Sequence, residues 1–144
     1  MNPHDPADTF ATLPLAQAAA EIAPDGSTVR VLLRMRGGSM ARFELAAGQI
    51  SAAVMHRSVT EIWYVLEGCG ELWRRQASHE EIVALEPGIC LTLPCGVHFQ
   101  FRAAPDTPLA VIAATLPPWP GDGEAARVDG PWTPGGTPPA RGIT

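Results

Sequence analysis

The chain has 144 residues, enough for one domain with a sizeable core. A formal net charge of −5 disfavours a nucleic-acid or anionic-membrane surface, and no apolar run reaches the roughly 18 residues that a membrane-spanning helix needs. Three cysteines make no disulfide framework, the start Met1 to Pro6 lacks the basic and apolar regions of a secretory signal, and a cytoplasmic protein with reduced thiols is expected.

Residues 1–11 carry no periodicity. Thr12 can cap a helix with Pro14 in its first turn, so Leu13 to Ile22 reads as one short helix, stopped by Pro24-Asp25-Gly26. From Val29 the pattern changes to period two. Val29, Val31, Leu33 and Met35 share one strand face, Gly37-Gly38 turns the chain, and Met40 to Leu45 returns. After Ala46-Ala47-Gly48, Ile50 to Met55 is a strand of mainly small residues, which leaves room in an interior.

Val59 to Leu66 has the strongest strand signal. Glu61, Trp63 and Val65 lie on one face and Ile62, Tyr64 and Leu66 on the other. Both faces are largely apolar, so both are expected to be covered, one by a barrel interior and one by a second sheet or a partner subunit; a homodimer is expected. Glu71 to Gln76 and Glu80 to Leu85 form a hairpin about Ala77-Ser78-His79, followed by strands Ile89 to Leu93, Val97 to Ala103 and Leu109 to Leu116. About ten short strands between Gly/Pro turns make a β-sandwich or jelly-roll barrel. The organisation reads as a segment 1–26, a barrel 27–116 and an irregular Pro/Gly-rich tail 117–144. Trp119 and Trp132 in that tail pin it to the barrel wall, or one of them closes the mouth.

The segments around two glycine-bounded strings resemble the motifs of cupins, small jelly-roll barrels. Glu61-Ile-Trp-Tyr-Val-Leu-Glu-Gly68 matches the end of the first cupin motif, and Gly88, five residues, then Pro94-Cys95-Gly96 matches the start of the second. With the four-residue spacer His56 takes the second His position of the first motif, while Val54 stands at the first. In the second motif Phe99 stands at the His position, His98 lies one residue early, and Ala103 stands at the Asn position.

The resemblance implies an all-β cupin barrel with one short N-terminal helix, a small polar metabolite in the barrel, and a mononuclear divalent metal (Fe, Zn, Mn or Ni) at His56, Glu61 and His98. Two imidazoles and one carboxylate suit iron(II) with open positions, or zinc with one. Dioxygenase- or isomerase-like chemistry is expected, with Glu61 as ligand or general base. Trp63, Gln100 and Phe101 are the candidate ligand-binding residues, and Cys95 is a further soft donor. Cys90 and Cys95 otherwise read as buried apolar residues. Parity on the strand from Val97 leaves two alternatives. With Phe99 and Phe101 inward the pocket is apolar; with His98 and Gln100 inward it is polar and metal-bearing. The rival function is a metal-free, non-catalytic ligand-binding or assembly module.

Overall fold

A computed structural model describes residues 8–136. Eleven strands form two antiparallel sheets. They are β1 (Ala20–Ile22), β2 (Thr28–Met35), β3 (Gly38–Leu45), β4 (Val54–His56), β5 (Thr60–Gly68), β6 (Gly70–Gln76), β7 (His79–Leu85), β8 (Cys90–Leu93), β9 (His98–Ala103), β10 (Leu109–Leu116) and β11 (Ala125–Arg127). One sheet has the order β1-β2-β3-β10-β5-β8, the other β11-β4-β9-β6-β7. The inward residues of both sheets, Leu45, Trp63, Val65, Leu72, Leu93, Phe101 and Val111 among them, form one core. None of the described helical segments is long and apolar enough to cross a membrane.

The helix expected over Leu13 to Ile22 is replaced by a 3-10 turn at Leu15–Gln17 and by β1. Thr12 does not cap it; Pro14 stands at the N-cap without a side-chain hydrogen bond. A ten-residue helix is marginal without a packed face, whereas Ala20, Glu21 and Ile22 gain ladder bonds opposite Arg30, Val29 and Thr28. The turn between β1 and β2 is tightened by Asp25, whose Oδ1 accepts from Ser27 N (2.9 Å) and Ser27 Oγ (2.6 Å). The strand expected at Ile50 to Met55 is regular only from Val54; Ile50 makes single bridges to Arg102 and Gly135.

The tail is less irregular than its composition implies. Residues 125–127 pair with β4, placing Ala125 opposite His56 and Arg127 opposite Val54. Trp132 lies on the outer side of the five-stranded sheet. Its N–H donates to Gln100 Oε1 (3.1 Å), Gln100 Nε2 donates to its carbonyl (2.8 Å), and the Arg102 guanidinium sits 4.0 Å from its ring centroid.

β5 alternates as the sequence indicates: Glu61, Trp63 and Val65 are buried, and Ile62, Tyr64 and Leu66 are exposed on the single chain. Gly68 ends it with φ +82°, and a Cβ there would run into the Pro108 carbonyl. Gly88 also has positive φ (+95°) but faces open space. Gly68→Ala is therefore expected to cost more than about 3 kcal/mol and Gly88→Ala about 1 kcal/mol in urea unfolding. Equal losses in the two variants would show that the contact at Pro108 yields freely.

Candidate functional site

A cavity of about 570 Å³ opens at one end of the barrel, between the two sheets. β4 contributes Val54 and His56 to its wall, β5 Glu61 and Trp63, β9 Phe99, β3 Phe43, and the tail Trp119. His56 reaches it because β4 alternates: Val54 and His56 are buried while Met55 faces away. Glu61 reaches it one tight connection later, at the start of β5.

The polar groups are few and deeply set. Glu61 is 1% exposed. Its Oε1 accepts from Trp63 Nε1 at 2.8 Å, and its Oε2 has no hydrogen-bond partner among the described residues. Burial pushes the Glu61 carboxyl up to about 7; the Trp63 bond opposes this, and the Asp25 and Glu124 charges add to it. The His56 ring stands edge-on to Phe99 (centroids 5.3 Å apart) and to Trp119 (5.1 Å). Burial lowers His56 to about 4, with Glu124 opposing. At neutral pH the cavity thus holds an uncharged imidazole and a carboxyl group near its titration midpoint. Trp63 is set by Phe43, stacked at 6.2 Å, and by Phe99 and Phe101 edge-on at 5.9 and 4.9 Å.

Of the residues expected at the site, His56, Glu61 and Trp63 share this cavity; His98, Gln100 and Phe101 do not line it. The reason is strand parity. Val54 of β4 stands opposite Phe99 of β9, so both turn inward, and Phe101 follows two residues on, in the core beneath Trp63. His98 and Gln100 take the other face. His98 Nδ1 lies 3.1 Å from Arg75 Nη2, and burial together with that guanidinium lowers its pKa. Gln100 is fully buried but outside the barrel, bonded to Ser51 O and Trp132 as a bracket for the tail. The donor set His56, Glu61 and His98 therefore does not converge. Among the described residues no group of three His, Cys, Asp or Glu is placed to hold a metal ion. Cys90 and Cys95 are exposed, not buried, and Cys95 Sγ is directed to Arg57 O (3.2 Å).

Asp25, Glu124 and Phe43 escaped the sequence reading. Asp25 lines the cavity from the β1–β2 turn, and burial raises its pKa against the Ser27 bonds. Pro-Asp-Gly-Ser reads as an ordinary turn; only the distant packing of β1 beside the mouth gives it a second place. The two tail tryptophans divide the roles between them: Trp132 pins and Trp119 stands at the mouth.

A two-sheet antiparallel barrel with an end cavity is a jelly roll. The chain belongs to the cupin family: a family model described as a cupin domain matches residues 41–115. The polyketide cyclase RemF from Streptomyces resistomycificus is similar in structure at 22% identity and a TM-score of 0.67, over 84% of this chain and 87% of that one. A variant of Streptomyces PAC13 solved with uridine has 13% identity and a TM-score of 0.67, over 84% and 92%; PAC13 is described as a nucleoside dehydratase. KdgF from Halomonas sp. has 16% identity and a TM-score of 0.64, over 74% and 94%. These likenesses show the fold. No curated protein matches the sequence.

The two buried groups load stability in opposite directions. Glu61 binds its proton more tightly when folded, so its contribution is full below about pH 4.5 and is lost as pH rises to about 7. His56 resists protonation when folded, so its contribution is full above about 6.5 and is lost as pH falls to about 4. Each spans on the order of 3 kcal/mol, and between pH 4.5 and 6.5 they largely cancel. Relative to the parent, Glu61→Gln is expected to gain stability as pH rises from 4.5 to 7.5, and His56→Gln to gain it as pH falls over the same range. Urea unfolding at several pH values reads both; flat differences would mean that neither group is shielded from water.

Proposed function

We propose that this cupin binds a small, largely apolar molecule in its barrel and rearranges it by proton transfer from the ligand to His56 and from Glu61 to the ligand. One observation carries the reading: Glu61 Oε2, buried at the wall of a ligand-sized cavity with no partner of its own. A buried carboxyl oxygen without a partner is costly to keep, and a ligand hydroxyl or carbonyl would complete it. The carboxyl is near its titration midpoint at physiological pH, and its protonated form can donate. His56 is uncharged and can accept. A carboxyl that can donate beside an imidazole that can accept is the equipment of acid–base catalysis.

In a dehydration, His56 would take the proton from carbon, Glu61 would protonate the departing hydroxyl, and water would leave. Solvent then returns His56 and Glu61 to their starting states. An isomerisation uses the same two transfers without loss of water. Two structural neighbours are described as a nucleoside dehydratase and a polyketide cyclase, and a proton-transfer pair suits either kind of chemistry. Aromatic walls at Phe43, Trp63, Phe99 and Trp119 favour a flat apolar body over the polar metabolite expected from the sequence. Catalytic zinc sites take three protein donors and structural ones four. His56, Glu61 and Asp25 line the cavity, but among the described residues no three such donors are placed to share an ion, and Phe99 stands where another imidazole is needed.

Unpaired thiols at Cys69, Cys90 and Cys95 favour a reducing compartment. The outer face of the six-stranded sheet supports a homodimer, since Met40, Ile62 and Tyr64 are each between 42% and 49% exposed on it.

Incubation with nucleosides and with phenolic polyketides, followed by mass spectrometry, tests the chemistry. A product isomeric with its substrate, or lighter by one water, is expected with chelator present, and Glu61→Gln or His56→Gln should slow its formation at least a hundredfold. Loss of activity in chelator, restored by one divalent metal, would replace this mechanism with a metal-dependent one. Binding without conversion of any ligand would leave a binding module. For the dimer, sedimentation at micromolar concentration should give twice the chain mass, and Tyr64→Lys should give a folded monomer; a monomeric parent removes that assembly.

A further inference from the structure

The wall of the cavity is completed by a segment outside the barrel. Residues 117–124 leave β10 at Leu116, cross the mouth and re-enter the five-stranded sheet as β11. The segment is fastened at both ends. At the first, Trp119 N donates to Ser39 Oγ (3.0 Å) on β3. At the second, the Glu124 carboxylate accepts from Ser58 N (2.7 Å), Ser58 Oγ (2.6 Å) and Val59 N (2.9 Å). Arg57 adds two bonds, from its backbone N to Glu124 O (2.9 Å) and from Nε to Gly123 O (2.7 Å). Between the fastenings lie Pro120, Gly121, Asp122 and Gly123, with φ +114° at Gly121 and +88° at Gly123.

Two features set this segment apart from an ordinary loop. Its Trp119 ring packs edge-on at 5.1 Å against His56 and lines the cavity. Its far fastening is made to residues 57–59, three of the four residues that join His56 to Glu61. Whatever releases Glu124 therefore frees the strap and loosens the connection between both polar groups of the site.

We infer that residues 117–124 are a latched strap that gates the barrel, with Trp119 as the plug over His56 and Glu124 as the latch. Ligand reaches Glu61 when Glu124 lets go of Ser58 and Val59 and Trp119 swings off the imidazole. The two glycines with positive φ supply the backbone freedom for that movement. On reclosure Trp119 covers the ligand and limits its width. The inference rests on the reading of the cavity as a ligand site, but its test needs no ligand.

Diethyl pyrocarbonate acylates neutral imidazole, and His56 is neutral at pH 7, so its rate of modification in the full chain reads access to the cavity. Peptide mass spectrometry resolves each histidine, and the exposed His79 is an internal reference. His56 in the parent is expected to react at least tenfold more slowly than His79. Trp119→Ala and Glu124→Gln should each speed His56 at least tenfold with His79 unchanged, while Trp119→Phe should keep most of the protection. If Glu124→Gln fails to fold, Ser58→Ala removes one latch bond, with a two- to threefold rise expected. Unchanged His56 rates in the Trp119 and latch variants would overturn the strap. A strap that opens in a protein that binds and converts nothing would leave this inference standing and sink the acid–base reading.

Discussion

β5 is hydrogen-bonded along both edges, to β10 and to β8, and that double pairing leaves its side chains no freedom to change face. A slip of one residue would expose Trp63 and Val65 and turn Ile62, Tyr64 and Leu66 inward in their place. Glu61 is carried inward by the same constraint. Its burial is not favourable in itself; the strand holds it there because Trp63 and Val65 must be inside. The Trp63 Nε1 bond satisfies one oxygen and leaves the other facing a cavity. The site thus begins as a by-product of strand register, and its chemistry follows from what surrounds it.

The same alternation decides β9. Turning His98 and Gln100 inward would take Phe99 and Phe101 out of the core and away from Trp63. It would also strip Gln100 of its bonds to Ser51 and Trp132. Three donors gathered about a metal would have to outweigh both losses. The apolar register wins, and the fold keeps the cupin barrel while its interior becomes an aromatic slot with His56, Glu61 and Asp25 in its wall.

Much of this was legible in the sequence, because strand residues declare themselves locally. Val-x-Val, Glu-Ile-Trp-Tyr-Val-Leu and the glycines at 48, 68 and 88 place strands and turns without knowledge of partners. The misread helix at Leu13 to Ile22 had local signals too, a threonine, a proline and a run of alanines. What defeated them was the distant edge of β2, which offers Ala20 to Ile22 a ladder. The face of β9 was undecidable for a related reason: the period is visible, but its phase depends on Val54 across the ladder and on Trp132 behind it. Glu124 and Asp25 were out of reach altogether, since their places depend on chain separations of more than sixty residues and on β1 docking beside the mouth.

The protonation states of Glu61 and His56 are coupled to how dry the cavity is. Desolvation is the largest cause of both shifts, upward for the carboxyl and downward for the imidazole. Anything that excludes more water therefore strengthens both at once, and drives the pair further toward neutral acid beside neutral base. Trp119 is the side chain best placed to do so, because it already covers one edge of the imidazole. Glu124 tempers the effect on His56 and adds to that on Glu61. Burial raises its pKa, but the bonds from Ser58 and Val59 and the nearby His56 hold it below the ordinary carboxylate value. It thus stays charged near the site, favouring a proton on His56 and on Glu61 alike. With the strap in place the charge is committed to Ser58 and Val59; once released it would be hydrated and screened. Closure thus does more than cover a ligand. It sets the field in which the two groups take and give protons, and it does so through the connection that joins one to the other.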